Sequence, residues 1–449
     1  MTRNLTVGPP GPLIISFAVP LVIGNLFQQF YNMADSFIVG NTINMEALAA
    51  IGCSASLNFL ILGFMMGVTG GASIITSQRF GANDEAGVRK SFAASIVLCA
   101  IVTVVLTIIS VVALMPVLRL LNTPENIIQD AYDYFVIILW GMPAIALFNL
   151  LSNIMRAVGD NKTPLYFLIA ACVINIVLDY VFILGFHTGV AGAGVATVIA
   201  QLVSGLACIP AIKKRLPQIC PLKEDQKVSI SELIEHSKTA FPVGFQMSII
   251  AIGTVAVQYA LNGLGSTAVA AFTTAEKIDQ FATMPLASYG QAMTIYSAQN
   301  FGARKYNRIR QGVFQGAIIS CIFSVIMFFL FVILGKSFAG LFLKGEAEAI
   351  DLAYQYLVII GIFFFALALL FTFRQSLQGL GDGVTPTISG ITELVMRTAA
   401  AIFLTNIFGF VGLCFASPLA FVGALAPLGI SWYFKTHQLK RMSMKAQSR

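Results

Sequence analysis

Ser77-Gln78-Arg79-Phe80-Gly81-Ala82 returns, within one position, as Ser297-Ala298-Gln299-Asn300-Phe301-Gly302-Ala303. The echo extends along most of the chain: residues 13–210 lie on 235–430 at an offset of 220–222. Ala131-Tyr132-Asp133-Tyr134 is answered by Ala353-Tyr354-Gln355-Tyr356, and Gly159-Asp160 with Thr163-Pro164 by Gly381-Asp382 with Thr385-Pro386. Gly189, Gly192 and Ala196 recur as Gly409, Gly412 and Ala416. Both copies are strongly apolar. Two homologous membrane halves related by a pseudo-twofold axis are the sequence signature of an alternating-access transporter.

With 57% hydrophobic and 10% charged residues, the chain is too apolar for a soluble globule, in which about a quarter of residues are charged. Apolar stretches of about 20 residues match a hydrocarbon core roughly 30 Å thick. The candidates are 13–38, 47–75, 92–115, 131–152, 164–186, 190–212, 240–262, 269–297, 311–335, 353–374, 386–407 and 411–434. Six fall in each half, predicting an all-α polytopic protein of twelve spans. The first span is read as a retained helix, because Pro20 interrupts it and no small-residue cleavage pattern follows.

The net charge of +7 does not point to nucleic acid, because the basic residues segregate to one side of the predicted membrane. With the N-terminus inside, 22 of the 27 Lys and Arg fall in inside loops, Arg374 among them; Arg119, Lys336 and Lys344 fall outside, and Lys277 and Arg397 within spans. Both termini are therefore expected in the cytoplasm of an inner-membrane protein. An even number of spans per half makes the repeats parallel. The predicted organisation is an N-terminal lobe 1–212, a polar cytoplasmic linker 213–238 and a C-terminal lobe 239–449, with Ser229-x-x-Glu232 placed to cap a short surface helix in the linker. Cys53, Cys99, Cys172, Cys208, Cys220, Cys321 and Cys414 are scattered without metal-ligand spacing and read as packing residues.

A carboxylate at bilayer depth is costly, so acids inside spans are functional candidates. Five qualify: Asp35, Asp179, Glu276, Asp279 and Glu393. Gln28, Tyr31 and Asp35 share one helix face, as do Asn175 and Asp179 at i, i+4. Two carboxylates and an amide oxygen converging would suit Na⁺, or H⁺ if one carboxyl keeps its proton. The plainer reading is that these acids satisfy helix–helix hydrogen bonds. Against it, a step of 222 from Asp35, Asn175 and Asp179 lands on Val257, Arg397 and Ala401, so the repeat does without them. Glu393 and Arg397 at i, i+4 read as a structural pair. Glu276 and Asp279 either line a substrate cavity or pair with Lys277. Met65, Met284 and neighbouring aromatic residues are core or lipid-facing by default, yet they also make polarizable walls that attract flat cations. Pro20 and its repeat partner Pro242 permit helix bending.

These residues together resemble the multidrug and toxic compound extrusion (MATE) family. The likeness rests on two six-helix repeats, Pro20, Gln28-x-x-Tyr31-Asn32-x-x-Asp35 with Val39-Gly40, the Gln78/Phe80-Gly81-Ala82 loop, Arg156-Ala157-x-Gly159-Asp160 and Asn175-x-x-x-Asp179. It runs from about residue 10 to 435, and the acids of the first half resemble the DinF-like branch. That resemblance implies V-shaped bundles around a central cavity, Na⁺ or H⁺ bound by Asp35, Asn175 and Asp179 with Thr197 as a further oxygen ligand, and bending at Pro20. It also implies export of amphipathic, cationic drugs and dyes by a monomer in the lipid bilayer, with no cofactor and no chemistry. The cavity residues it suggests are Gln28, Tyr31, Asn32, Met65, Glu276, Asp279 and Met284.

Two other readings compete with this one. A flippase for lipid-linked oligosaccharide shares the two-lobe plan but wants a strongly basic cavity for pyrophosphate, and the spans offer only Lys277 and Arg397. A membrane-embedded enzyme or receptor finds no intramembrane His, no His-Glu-x-x-His and no extramembrane domain in this sequence.

Overall fold

The computed structural model describes residues 4–43, 45–121, 123–225, 227–343 and 346–447. Arg3, Lys344 and Arg449 of the charge tally, and the side chain of Cys53, lie outside them. The fold is all-α. The first repeat supplies α1 (Pro10–Thr42), α2 (Met45–Gly81), α3 (Glu85–Leu120), α4 (Glu125–Trp140), α5 (Met142–Ala157), α6 (Lys162–Tyr180) and α7 (Gly189–Arg215). The second supplies α8 (Ile230–Asn262), α9 (Ser266–Gly302), α10 (Tyr306–Phe342), α11 (Ala347–Ile362), α12 (Phe364–Gly379), α13 (Val384–Phe408), α14 (Phe410–Cys414) and α15 (Ala416–Gln447).

Among the described residues nine helices are long and apolar enough to cross a membrane, or eleven when each bent pair counts as one span. The remaining expected span is α9, 37 residues long, whose Glu276, Lys277 and Asp279 crowd three charges into one turn and lower its hydropathy. The fourth span of each repeat, expected as one helix, is broken: α4 and α5 meet at 49°, α11 and α12 at 50°. Gly141 followed by Pro143 explains the first break, since proline removes a helical N–H and disfavours the α conformation before it. The second, at Phe363, has no proline.

The Gly-Asp-x-x-Thr-Pro element serves the same purpose twice. Gly159 and Gly381 adopt φ of 88° and 81°, the left-handed conformation that ends α5 and α12 without a Cβ penalty. The following aspartate then starts the next helix. Asp160 accepts from the Thr163 N–H at 3.1 Å and hydroxyl at 2.7 Å, and Asp382 from those of Thr385 at 3.1 and 2.8 Å. Ser229 Oγ likewise accepts from the Glu232 N–H at 3.2 Å. The helix it caps is α8 itself, so the separate surface helix expected in the linker is absent among the described residues.

By packing, the chain forms two compact units, one holding Ile23–Ser248 and the other Leu5–Val22 with Ile249 onward. The change of unit falls two residues after Pro20 in α1 and six after Pro242 in α8. In the first unit α2 and α8 touch backbone to backbone. A Cβ on Gly67 would lie 2.7 Å from the Gly244 Cα, and one on Gly71 2.7 Å from the Ala240 Cα. Gly67-x-x-x-Gly71 against Ala240-x-x-x-Gly244 is small-residue packing on both helices.

The repeated loop motif has a matching job in each unit. Arg79 pairs with Glu232 at 2.9 Å and Glu235 at 2.8 Å at the start of α8, and the buried His236 ring meets Ser91 Oγ at 2.8 Å. In the second unit Gln299 Oε1 accepts from the Leu5 N–H at 3.0 Å, and Asn300 Nδ2 donates to the Leu5 carbonyl at 3.1 Å. Each loop thus holds the chain entering the first helix of the other repeat. The linker is held by Asp225, which accepts from Arg89 Nε and the Leu222 N–H at 3.0 Å each. Burial works against the Asp225 charge, but the Leu222 N–H and the Arg89 guanidinium outweigh it and hold the carboxyl below its usual range. Its folded pKa being depressed, this clamp is present above the unfolded pKa and is lost as pH falls through the folded one.

Gly71→Ala is expected to cost about 1–3 kcal/mol through overpacking, read as a lowered thermal midpoint in detergent. Gly429→Ala, with nothing within 4 Å of the added methyl, should leave the midpoint unchanged. Equal midpoints for both variants would contradict the close contact of α2 with α8.

Candidate functional site

Tyr31 and Asp35 stand one turn apart on α1, Asn175 and Asp179 one turn apart on α6, and Thr197 on α7. Asn175 and Asp179 are fully buried and Asp35 is 7% exposed. The Tyr31 hydroxyl donates to Thr197 Oγ1 at 3.0 Å. The Asn175 amide lies 3.4 Å from that same oxygen. Turned to satisfy both its ends, the amide donates to Asp179 Oδ2 at 3.1 Å and accepts from the Thr197 N–H at 3.3 Å. The Asp35 and Asp179 carboxyls are close enough to interact electrostatically, and two buried carboxyls so placed are least costly when one of them carries a proton.

Asp35 Oδ1 and Asp179 Oδ1 are buried without a hydrogen-bond partner. Such orphaned oxygens are costly in a low dielectric unless a bound group answers them. The set is two carboxylates, an amide and hydroxyls, all hard oxygen donors. It suits a proton or a small hard cation far better than a thiolate- or imidazole-loving metal. No cluster of three His, Cys, Asp or Glu occurs among the described residues.

Of the other sequence candidates, Gln28 is half-buried and Asn32 exposed on α1. Met65 is 1% exposed in the core of the first unit, where it receives the Thr103 hydroxyl at 3.5 Å. Met284 is half-buried on α9, and α1 passes through Pro20 as one helix.

The second unit carries a different charge cluster. Glu393 pairs with Arg397 at 2.7 Å, as its spacing predicts, and also with Arg374 at 2.7 Å. Arg374, an inside-loop residue by its place in the sequence, is instead 2% exposed within α12 and also donates to Ser389 Oγ at 3.1 Å. The inside tally drops by one, which leaves the asymmetry intact. Its partner lies 19 residues away on another helix, so no local spacing could reveal it. Arg397 also lies 5.9 Å from the Phe421 ring centroid. Glu276 and Asp279 are half-buried on α9, near enough to Arg397 and Tyr356 to interact electrostatically. Asp279 Oδ1 has no hydrogen-bond partner, and no ion pair joins either acid to Lys277 among the described residues.

The MatE family model matches residues 20–181 and again 242–403, at the same 222-residue offset as the internal repeat. The chain belongs to the MATE family. It is 30% identical over 353 residues to the probable multidrug resistance protein YoeA of Bacillus subtilis, covering 76% of this chain and 75% of that one. A likeness of 21% identity covers 97% of this chain and 96% of a FAD transporter of Shewanella oneidensis. Among solved structures, a MATE in complex with MaL6 superposes with a TM-score of 0.90 at 23% identity, covering 98% of this chain and all of that one. This MATE protein is thus a multi-pass membrane transporter by family, and the family is not one of enzymes.

Removing one partner of a buried ion pair strands the rest, at a cost of about 3–5 kcal/mol. Glu393→Gln should therefore lower the thermal midpoint of this MATE protein sharply by leaving Arg374 and Arg397 uncompensated. An unchanged midpoint would contradict a structural role for the trio.

Proposed function

We propose that the protein is an efflux antiporter of the cell's inner membrane that exports amphipathic, cationic compounds in exchange for H⁺ or Na⁺ bound at Asp35, Asn175, Asp179 and Thr197. The observation that carries this reading is the pair of neighbouring, buried carboxyls, each with one oxygen that has no hydrogen-bond partner. Such a pair can gain and lose one positive charge without dismantling its surroundings, because Tyr31, Asn175 and Thr197 hold the frame through their own hydrogen bonds. Loading and unloading would bias the helix that carries Asp35, with Pro20 as the place where α1 bends. Coupling then follows from linkage: cation and substrate favour different conformations and lower each other's affinity.

In this reading the lobes 1–212 and 239–449, joined by the linker 213–238, divide the labour, and the protein works as a monomer with both termini in the cytoplasm. The N-terminal lobe handles the ion. The C-terminal lobe offers Glu276, Asp279 and Met284 to the substrate and the N-terminal lobe Gln28, Tyr31 and Asn32, while Met65, expected with them from the sequence, is packed in the core of its own unit. A second reading of the cargo, a flavin dinucleotide, is favoured by the near full-length likeness to a FAD transporter. Efflux from vesicles of a panel holding both cationic dyes and FAD separates the two.

Asp35→Asn and Asp179→Asn are expected to fold and insert but to lose gradient-driven efflux, because an amide keeps the shape and cannot cycle charge. Normal efflux by both would refute the site. Glu276→Gln should shift substrate preference more than ion dependence; complete loss of ion coupling would instead make the cation site common to both lobes. For orientation, a cysteine placed at Gly265 should react with an impermeant thiol reagent from outside, and one at Glu224 only after permeabilisation. The reverse pattern would invert the topology.

A further inference from the structure

Two features of the second unit adjoin on α10. A pocket of about 580 Å³ is lined by Asn307, Arg310, Gln311, Phe373, Trp432 and Thr436 among others. It shares Phe314 and Ala317 with an apolar groove of about 460 Å³ that runs along the same helix to Ile326. The pocket has Asn307, Gln311 and Thr436 among its lining residues and holds the stacked rings of Phe373 and Trp432, 6.0 Å apart and inclined by 13°. Arg310 brings a full positive charge into it. Its Nε is buried without a hydrogen-bond partner, and no acidic side chain pairs with it among the described residues. From Phe314 to Ile326 the groove rises about 18 Å at 1.5 Å per residue, close to the thickness of one leaflet of a core roughly 30 Å across.

The first repeat has the same groove. A cavity of about 440 Å³ is lined along α3 by Phe92, Ile96, Cys99, Ala100, Thr103 and Val104. Adding 222 to each gives Phe314, Ile318, Cys321, Ile322, Val325 and Ile326, which all line the groove on α10. Three of the six pairs are identical. This cavity too is bounded by a basic side chain, Lys213. The repeats have let Asp35 and Asp179 diverge to apolar residues while keeping this cleft, so the cleft belongs to the shared scaffold rather than to ion coupling. None of its lining residues belongs to the carboxyl site.

We infer that each repeat holds one anionic phospholipid, its acyl chain in the groove of the third helix and its phosphate at the basic end, on Arg310 in the second repeat and on Lys213 in the first. An acyl chain fits because Phe314, Ile318, Ile322 and Ile326 present an exposed apolar strip at bilayer depth. The headgroup is anionic because Arg310 otherwise keeps an unmatched charge beside amide and hydroxyl donors able to share a phosphate. Native mass spectrometry of the full-length protein in detergent, with phosphatidylglycerol or phosphatidylcholine added at equal concentration, tests this. The protein should retain two phosphatidylglycerols and markedly less phosphatidylcholine. Arg310→Gln should lose one of the two, weakening that site roughly fivefold, Arg310→Lys should retain most of it, and Lys213→Gln should lose the other. Ile318→Trp, filling the groove, should reduce binding of either lipid. Equal retention of both lipids, or no change in Arg310→Gln and Lys213→Gln, would overturn the assignment. So would a dimer mass abolished by Ile318→Trp, which would seat a second copy of the chain on the groove.

Discussion

Two carboxyl groups buried against each other in a low-dielectric interior cannot both be charged at small cost, and the function proposed for this MATE protein turns on that constraint. Asp35 and Asp179 sit on different helices, so their approach is set by packing. The polar groups around them are just enough to fix Asn175 and Thr197 and leave one oxygen of each acid unanswered. A site that satisfied every oxygen would be a structural clasp. A site that satisfied none would be too costly to build. The arrangement lies between these limits, and in the proposed function a mobile cation or proton supplies what the protein withholds.

The second repeat resolves the same problem the opposite way. Its buried acid Glu393 is met on both sides by Arg374 and Arg397, each at 2.7 Å, and the trio has no charge to exchange cheaply. Arg397 stands where the first repeat has Asn175. One duplicated scaffold has therefore kept its caps, its loop clamps and its lateral clefts, while the charges in its interior have gone separate ways. Caps and clamps are conditions of folding for either copy; interior charge is free to be spent on function.

Much of this was legible in the sequence because the deciding signals were periodic or local. The repeat offset predicted which loops are equivalent, and Gly159-Asp160 and Gly381-Asp382 announced their helix boundaries through backbone conformation and capping. The faces of α1 and α6 followed from i, i+3 and i, i+4 spacing, as did the Glu393–Arg397 pair. The remainder depends on tertiary packing, which leaves no local signal. Arg374 read as a loop residue because nothing near it in sequence demands burial. The break at Gly141 had its signal in Pro143, yet its counterpart at Phe363 has no proline. That the loop at 77–82 grips the start of α8, and the loop at 297–303 the residues before α1, could not be seen without knowing which chain segment crosses which.

The central claim is that cation and substrate compete through the Asp35–Asp179 pair. Its most direct test is the equilibrium affinity of purified protein for a fluorescent cationic dye, measured across pH and across sodium concentration. Dye affinity should fall by roughly 5- to 150-fold, the usual range of such coupling, as either protons or sodium load the pair, and Asp35→Asn should abolish this dependence. An affinity indifferent to both ions in the unaltered protein would contradict it.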